Sequence, residues 1–235
     1  MKRQTLPIVF FCMLFLQARG ADLSIAEIEG RRLAQELLEQ VPTKESTNSG
    51  ILRIRDENGR LSRVPVECRV TLGETNWQAV YLTWSGRNEA AERLSITYDG
   101  AANHYELNGK VIPAANTAIP FATSDFWVVD LGREFLHWAE QKVLKEDDTR
   151  RTRSCTVLES TNPAPSSNGY SRVVTWIDEE SDGIVHADAY DANGKKLKEF
   201  DPKSFKKVNG TRQLQEMRIQ NVQTGSRTDI EFDLN

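Results

Sequence analysis

Seven Asn-Gly or Asp-Gly pairs punctuate this chain of 235 residues, at 58–59, 99–100, 108–109, 168–169, 182–183, 193–194 and 209–210. Such pairs accept the positive φ angles of tight hairpin turns. Most of them separate runs in which apolar and polar residues alternate. Val64, Val66, Cys68, Val70 and Leu72 alternate with Arg63, Pro65, Glu67, Arg69 and Thr71, and Thr228, Ile230, Phe232 and Leu234 alternate with Arg227, Asp229, Glu231 and Asp233. This period of two predicts strands with one wet face. Further strands are expected at 50–56, 76–84, 92–98, 103–108, 139–146, 151–159, 169–178, 184–190, 195–200 and 212–222. A parallel α/β fold would need a helix between successive strands, and the sequence lacks them. The expected fold is therefore mainly β, a strongly curved antiparallel sheet or half-open β-barrel.

Two segments break the alternation. Ser24 with Glu27 forms a capping box, and Ala26, Gly30, Leu33, Ala34, Leu37, Leu38 and Val41 then share one stripe at helical spacing. Pro42 is expected to end this N-terminal helix. Residues 119–138 hold Phe121, Phe126, Trp127, Phe135 and Trp138. There Asp130 is expected to cap a short central helix with Leu131, Phe135 and Trp138 on one side. Both helices are expected to cover the concave face.

The first twenty residues read as a signal peptide. Lys2 and Arg3 are its basic region, Leu6 to Leu16 its apolar run, and Ala18 and Gly20 the small residues before the cut. The expectation is a periplasmic protein with cleavage after Gly20 and one domain over 21–235. An apolar run that short does not span ~30 Å of hydrocarbon. Cys12 leaves with the signal. Cys68 and Cys155 remain as a pair in an oxidising compartment, which favours a disulfide; two buried thiols are the alternative. The net charge of −4, more acidic once the signal is gone, excludes a general nucleic-acid binder. With 39% hydrophobic residues the chain is also not a disordered one.

The residues give little footing for catalysis. His104, His137 and His186 are far apart, and HExxH, CxxC, P-loop, GxGxxG and GxSxG patterns are missing. No metal, cofactor or enzymatic activity is expected, and a hydrolase built from fold-assembled carboxylates ranks third among the readings. The Asn209-Gly210-Thr211 sequon overlaps a turn signal. The aromatics say more. Strands 76–84 and 169–178 are apolar on both faces, which implies extra cover or a ligand surface. Trp77, Trp84 and Trp176 on strands, with Phe126, Trp127, Leu131, Phe135 and Trp138 on the covering segment, are the candidate walls of an apolar cavity. The competing reading makes them ordinary core.

An ordered set of motifs resembles the outer-membrane lipoprotein-sorting (LolA-like) superfamily, in an uncharacterised branch. It comprises Ser124-Asp125-Phe126, Cys155-x-Val157-Leu158-Glu159, Thr175-Trp176-Ile177-Asp178, Tyr190 to Lys195, and Met217 to Asn221 followed by Thr224 and Thr228. The resemblance covers residues 120–235. It implies a half-open barrel plugged by helices, whose apolar cavity holds the acyl chains of a lipoprotein or lipid without any cofactor. It also implies an acylated lipoprotein or lipid as partner, an inner-membrane export complex as docking partner, and only transient membrane contact. An envelope interaction module with a filled core is the alternative from another class.

Overall fold

The computed structural model describes residues 23–85, 89–208 and 211–234; the signal segment 1–20 with Cys12, and the turn and sequon at Asn209-Gly210, lie outside the described residues. The chain opens with α1 (Ile25–Leu38) and continues through β1 (Ser46–Arg55), β2 (Leu61–Leu72), β3 (Trp77–Ser85), β4 (Glu89–Tyr98), β5 (Asn103–Leu107) and β6 (Lys110–Ile112). A crossing segment carries α2 (Val128–Gly132) and a 3-10 turn (Glu134–His137). The return half is β7 (Glu140–Arg150), β8 (Arg153–Thr161), β9 (Tyr170–Asp178), β10 (Ile184–Asp191), β11 (Lys196–Val208), β12 (Thr211–Asn221) and β13 (Arg227–Phe232).

All thirteen strands form one sheet in the order β6-β5-β4-β3-β2-β1-β13-β12-β11-β10-β9-β8-β7. Every pairing is antiparallel. Two meanders are thus stitched together by β1 and β13, with Leu52 opposite Ile230. The sheet curves without closing, and β6 and β7 are its free edges. The crossing segment from β6 to β7 has to traverse the concave face, and so it becomes the cover.

Turn chemistry explains the connections. Each Asn-Gly or Asp-Gly pair among the described residues lies between consecutive strands. Asn108 and Gly109 both take positive φ, 52° and 78°, and turn β5 into β6 with no residue to spare. The short β6 was not expected from the sequence, because three residues carry no period.

At the N-terminus the capping box is present: Glu27 N–H donates to Ser24 Oγ (3.3 Å) and Ser24 N–H to Glu27 Oε2 (2.7 Å). The helix ends at Leu38, ahead of Pro42. Gly30, Ala34 and Leu37 are its buried face. Gly30 sits against the backbone of β7: a Cβ there would lie 2.5 Å from Lys142 N and 2.7 Å from Gln141 C. α1 therefore covers the β7 end of the sheet.

The central helix departs from expectation. Asp130 is not its N-cap but its third residue, reaching back to accept from Trp127 N–H (2.8 Å). Arg133, at φ 51° and ψ 36°, breaks the helix in the left-handed region. Leu131, Phe135 and Trp138 therefore do not share one helical stripe.

The expected Cys68–Cys155 disulfide is also corrected. Both cysteines are free and buried. Cys68 lines the concave face of β2. Cys155 on β8 pairs across with Asp178, whose neighbour Ile177 is the residue that turns into the concave core. The two thiols thus point to opposite faces of strands that lie far apart in the sheet order.

Candidate functional site: an apolar cavity under the crossing segment

The concave face is apolar in two clusters. One gathers Leu52, Val66, Leu94, Ile96, Ile219 and Ile230 under Phe121, Phe126 and Leu131. The other gathers Leu158, Val173, Ile177, Ala187 and Ala189 under Phe135, Leu136 and α1. Between them remains a cavity of about 470 Å³. Its physical origin is side-chain size. The inward positions of β10 are Ala187 and Ala189, and that of β3 opposite Ile96 is Ala79. Larger residues at these positions would fill the space that interiors ordinarily leave no room for. The remaining walls include Tyr81, Tyr98, Phe200 and Met217. Leu37 and Gln40 of the α1 end, Gly183 of the β9–β10 turn, and Phe205 with Leu214 also border it.

Polar groups fasten the crossing segment at both ends. At its start, the Asp125 carboxylate accepts from Ser226 Oγ (2.6 Å) and Thr228 Oγ1 (3.0 Å) of the β12–β13 turn and β13. Lys198 of β11 donates from Nζ to the Asp125 carbonyl (2.7 Å) and stands 3.4 Å from Asp130 Oδ2. The same ammonium lies 3.4 Å from the centre of the Trp127 ring, a cation–π contact, and Trp127 stacks on Tyr170. Tyr170 Oη completes the set by donating to Asp130 Oδ1 (2.9 Å). Burial pulls the Lys198 ammonium down to about 8 against the pull of Asp130.

At its end, Asn103 Nδ2 donates to the Gly132 carbonyl (2.8 Å), and Tyr105 Oη donates to Glu134 Oε2 (2.7 Å). Gly132 is required there, since a Cβ would overlap the Tyr105 ring and hydroxyl. Burial holds the Glu134 carboxyl above the usual carboxylate range, although Tyr105 and Asn103 donate to it.

The structure divides the expected site residues. Trp77, Phe126, Leu131 and Phe135 line the cavity, and Trp77 stacks on Tyr98 at 3.7 Å between ring centroids. Trp127 supports the cavity from behind, between Lys198 and Tyr170. Trp138 packs on the second cluster and borders a separate pocket of about 300 Å³ beside Glu134 and His137. Trp84 is half-buried next to the register shift between Thr83 and Trp84 and joins neither cluster. Trp176 faces away from the cavity. Thr175 and Ile177 take the inward positions, while Trp176 Nε1 donates to Asp148 Oδ2 (2.8 Å) and the ring meets His186 edge-on at 5.0 Å. The expected nearness of the crossing-segment aromatics to Trp176 is thus corrected. That outer face is a polar network instead. The His186 ring nitrogens lie 2.9 Å from Asp188 and Asp201; burial disfavours the imidazolium, but the two carboxylates outweigh it and raise the pKa.

Sequence reasoning missed Arg133, Lys198, Tyr81, Tyr98 and the three alanines. Alanine carries no signal of its own, and a lysine in an alternating strand reads as solvent-facing.

Comparison with known proteins places this architecture. A family model for an uncharacterised protein matches residues 108–234. The chain belongs to this family. No curated protein matches the sequence. A putative outer membrane lipoprotein-sorting protein domain from Vibrio parahaemolyticus superposes with a TM-score of 0.72 at 19% identity, covering 88% of this chain and 91% of that one. A DUF1329 family protein from Desulfovibrio piger gives 0.71 at 15% identity, covering 89% and 92%. A LolA superfamily protein from Nitrosomonas europaea gives 0.61 at 14% identity, covering 90% and 94%. The fold is thus that of the LolA superfamily, as the sequence motifs implied. No helix among the described residues is long and apolar enough to cross a membrane.

Proposed function

We propose that the protein is an exported carrier or chaperone that shelters acyl chains of a lipoprotein or lipid in the cavity under the crossing segment. The mature chain begins at Ala21 and works in the periplasm, docking transiently at the membrane or on an inner-membrane export complex. Trp77, Phe126, Leu131 and Phe135 form the apolar walls, with Trp127 behind them. The observation that carries this reading is the void of about 470 Å³ between two apolar clusters. A chain entering it would gain ~0.8 kcal/mol per buried methylene, with no covalent chemistry and no cofactor. The fold likeness to a lipoprotein-sorting domain agrees with it.

The competing reading, an interaction module with a filled interior, has to account for that void. Native mass spectrometry of protein purified from its own envelope tests the proposal. Adducts of acyl-chain mass are expected, and they should weaken in Ala187→Phe, which narrows the space from the inward face of β10. Protein that elutes empty, with acyl-probe binding equal in both forms, would overturn it.

A further inference from the structure

We infer that the cavity takes one acyl chain at a time and that Arg133 receives its anionic end, so that the ligand is a single-chain anionic amphiphile such as a fatty acid or a lysophospholipid. This rests on the acyl-binding reading and narrows it.

The first argument is volume. At ~30 Å³ per methylene, close to the share of one water in the liquid, a cavity of about 470 Å³ holds about sixteen methylenes. That is one ordinary chain. Two or three chains would need two or three times that space.

The second argument is charge. The charged residues on the cavity wall are Asp130, Arg133 and Lys198. Asp130 and Lys198 face each other, and Asp130 also receives Trp127 N–H and Tyr170 Oη. These two cancel. Arg133 makes no ion pair among the described residues, and its guanidinium donates to the Leu37 carbonyl at 3.3 Å. An arginine stays charged at any working pH. The wall therefore carries one uncompensated positive charge beside an apolar void. A half-buried cation of this kind gains most from a carboxylate or phosphate, which it can bind through two parallel hydrogen bonds.

The third argument is placement. The left-handed backbone of Arg133 ends α2 and aims the side chain at the end of α1. Gln40 lies there too, donating from Nε2 to the Asp182 carbonyl (2.8 Å) across the edge of the cavity. Gln40 is exposed and Arg133 half-buried, so this is where a headgroup would meet water while its chain lies along Phe135 and Ala187.

Competition against a fluorescent acyl probe tests the inference on delipidated mature protein. The ligands are palmitate, palmitoyl lysophosphatidylglycerol, hexadecanol and dipalmitoyl phosphatidylglycerol. Palmitate, lysophosphatidylglycerol or both should bind with one molecule per chain, at least ten-fold tighter than hexadecanol, and the diacyl lipid should not compete. Palmitate alone would name a fatty acid, and lysophosphatidylglycerol alone a lysolipid. Arg133→Gln should bring the ratio of anionic to neutral affinity close to one, and Arg133→Lys should restore most of it. Thermal melts confirm that both variants are folded. Equal binding of palmitate and hexadecanol by the wild type, a preference unchanged in Arg133→Gln, or two chains per protein would overturn the inference and leave acyl binding standing. No competition by any of the four, with no probe uptake, would instead overturn the acyl-binding reading itself.

Discussion

Gly30→Ala decides whether α1 is docked as described. In a solvent-exposed helix this change is stabilising by about 1 kcal/mol, because alanine loses less backbone entropy than glycine. Here the added Cβ would meet Lys142 N at 2.5 Å, Lys142 Cα at 2.6 Å and Gln141 C at 2.7 Å. All three atoms are backbone, and Gln141 and Lys142 are fixed by pairing with Ser160 and Glu159 of β8. No rotamer relieves the overlap, so α1 must retreat by ~1 Å to reach ordinary contact distance. That retreat loosens Ala34 and Leu37, which are 2% and 1% exposed. Overpacking of this kind costs ~1–3 kcal/mol. Set against the helix gain, the net loss is roughly 0–2 kcal/mol, so Tm stays level or falls by up to about 8 °C for a chain of this size. Calorimetry or circular dichroism of the purified variant reads it directly. A Tm above that of the wild type would refute the close docking of α1 on β7, and with it the place of Leu37 and Gln40 in the cavity wall.

Other outcomes follow from the buried polar groups. Lys198, held near 8 instead of its ordinary 10.5, binds fewer protons in the folded than in the unfolded chain between those values, so stability should rise with pH from about 8 upward. The rise is worth roughly 3 kcal/mol at full extent, and denaturant titrations at pH 7.5 and 9.5 should show it in the wild type but not in Lys198→Met. Glu134, whose folded pKa is raised by burial, is favourable while protonated and loses that advantage as pH rises through its folded pKa. Glu134→Gln keeps an acceptor for Tyr105 and Asn103 and should raise Tm at pH 7 but not at pH 4; a lower Tm at pH 7 would count against this account. Thiol titration of the unfolded, unreduced mature chain should find both Cys68 and Cys155 reactive, and none reactive would restore the bridge. In hydrogen exchange, amides of α1 should exchange faster than those of residues 124–134, and the reverse order would contradict the fastening described above.

Most strands were legible because they alternate over a full span and end at a turn residue with its own steric reason, as at Asn58-Gly59 and Asn193-Gly194, whereas β6 is too short to carry a period. α1 was legible from Ser24 and Glu27. The facing of the aromatics was not. On β9 residues of both faces are buried, so alternation shows that Trp176 opposes Thr175 and Ile177 without showing which side is concave. The same ambiguity misled the cysteines: Cys68 and Cys155 sit in similar alternating runs, and only the long-range order of the sheet sets them on opposite faces. The cavity itself was hidden because it is made by what Ala79, Ala187 and Ala189 lack. The break at Arg133 was hidden because a left-handed arginine follows from tertiary packing, not from propensity.

The polar bonds are distributed unevenly around the cavity, and that bears on how a guest would enter. The crossing segment looks like a lid in sequence, since it is aromatic-rich and irregular. Yet its start is bound through Asp125 to Ser226 and Thr228 and through Asp125 and Asp130 to Lys198, and its end through Gly132 and Glu134 to Asn103 and Tyr105. Lifting it would strip a buried ammonium and two carboxylates of their partners at once, which costs several kcal/mol. By contrast, α1 and the residues that follow it as far as Pro42 are tied to the rest, among the described residues, by two side-chain hydrogen bonds: Arg133 to the Leu37 carbonyl and Gln40 to the Asp182 carbonyl. Its remaining hold is apolar contact through Ala34 and Leu37 and the close approach at Gly30. Apolar contact is non-directional, and an incoming chain offers the same kind of surface in exchange. The wall that an acyl chain can displace at least cost is therefore α1, while the aromatic segment serves as the fixed roof.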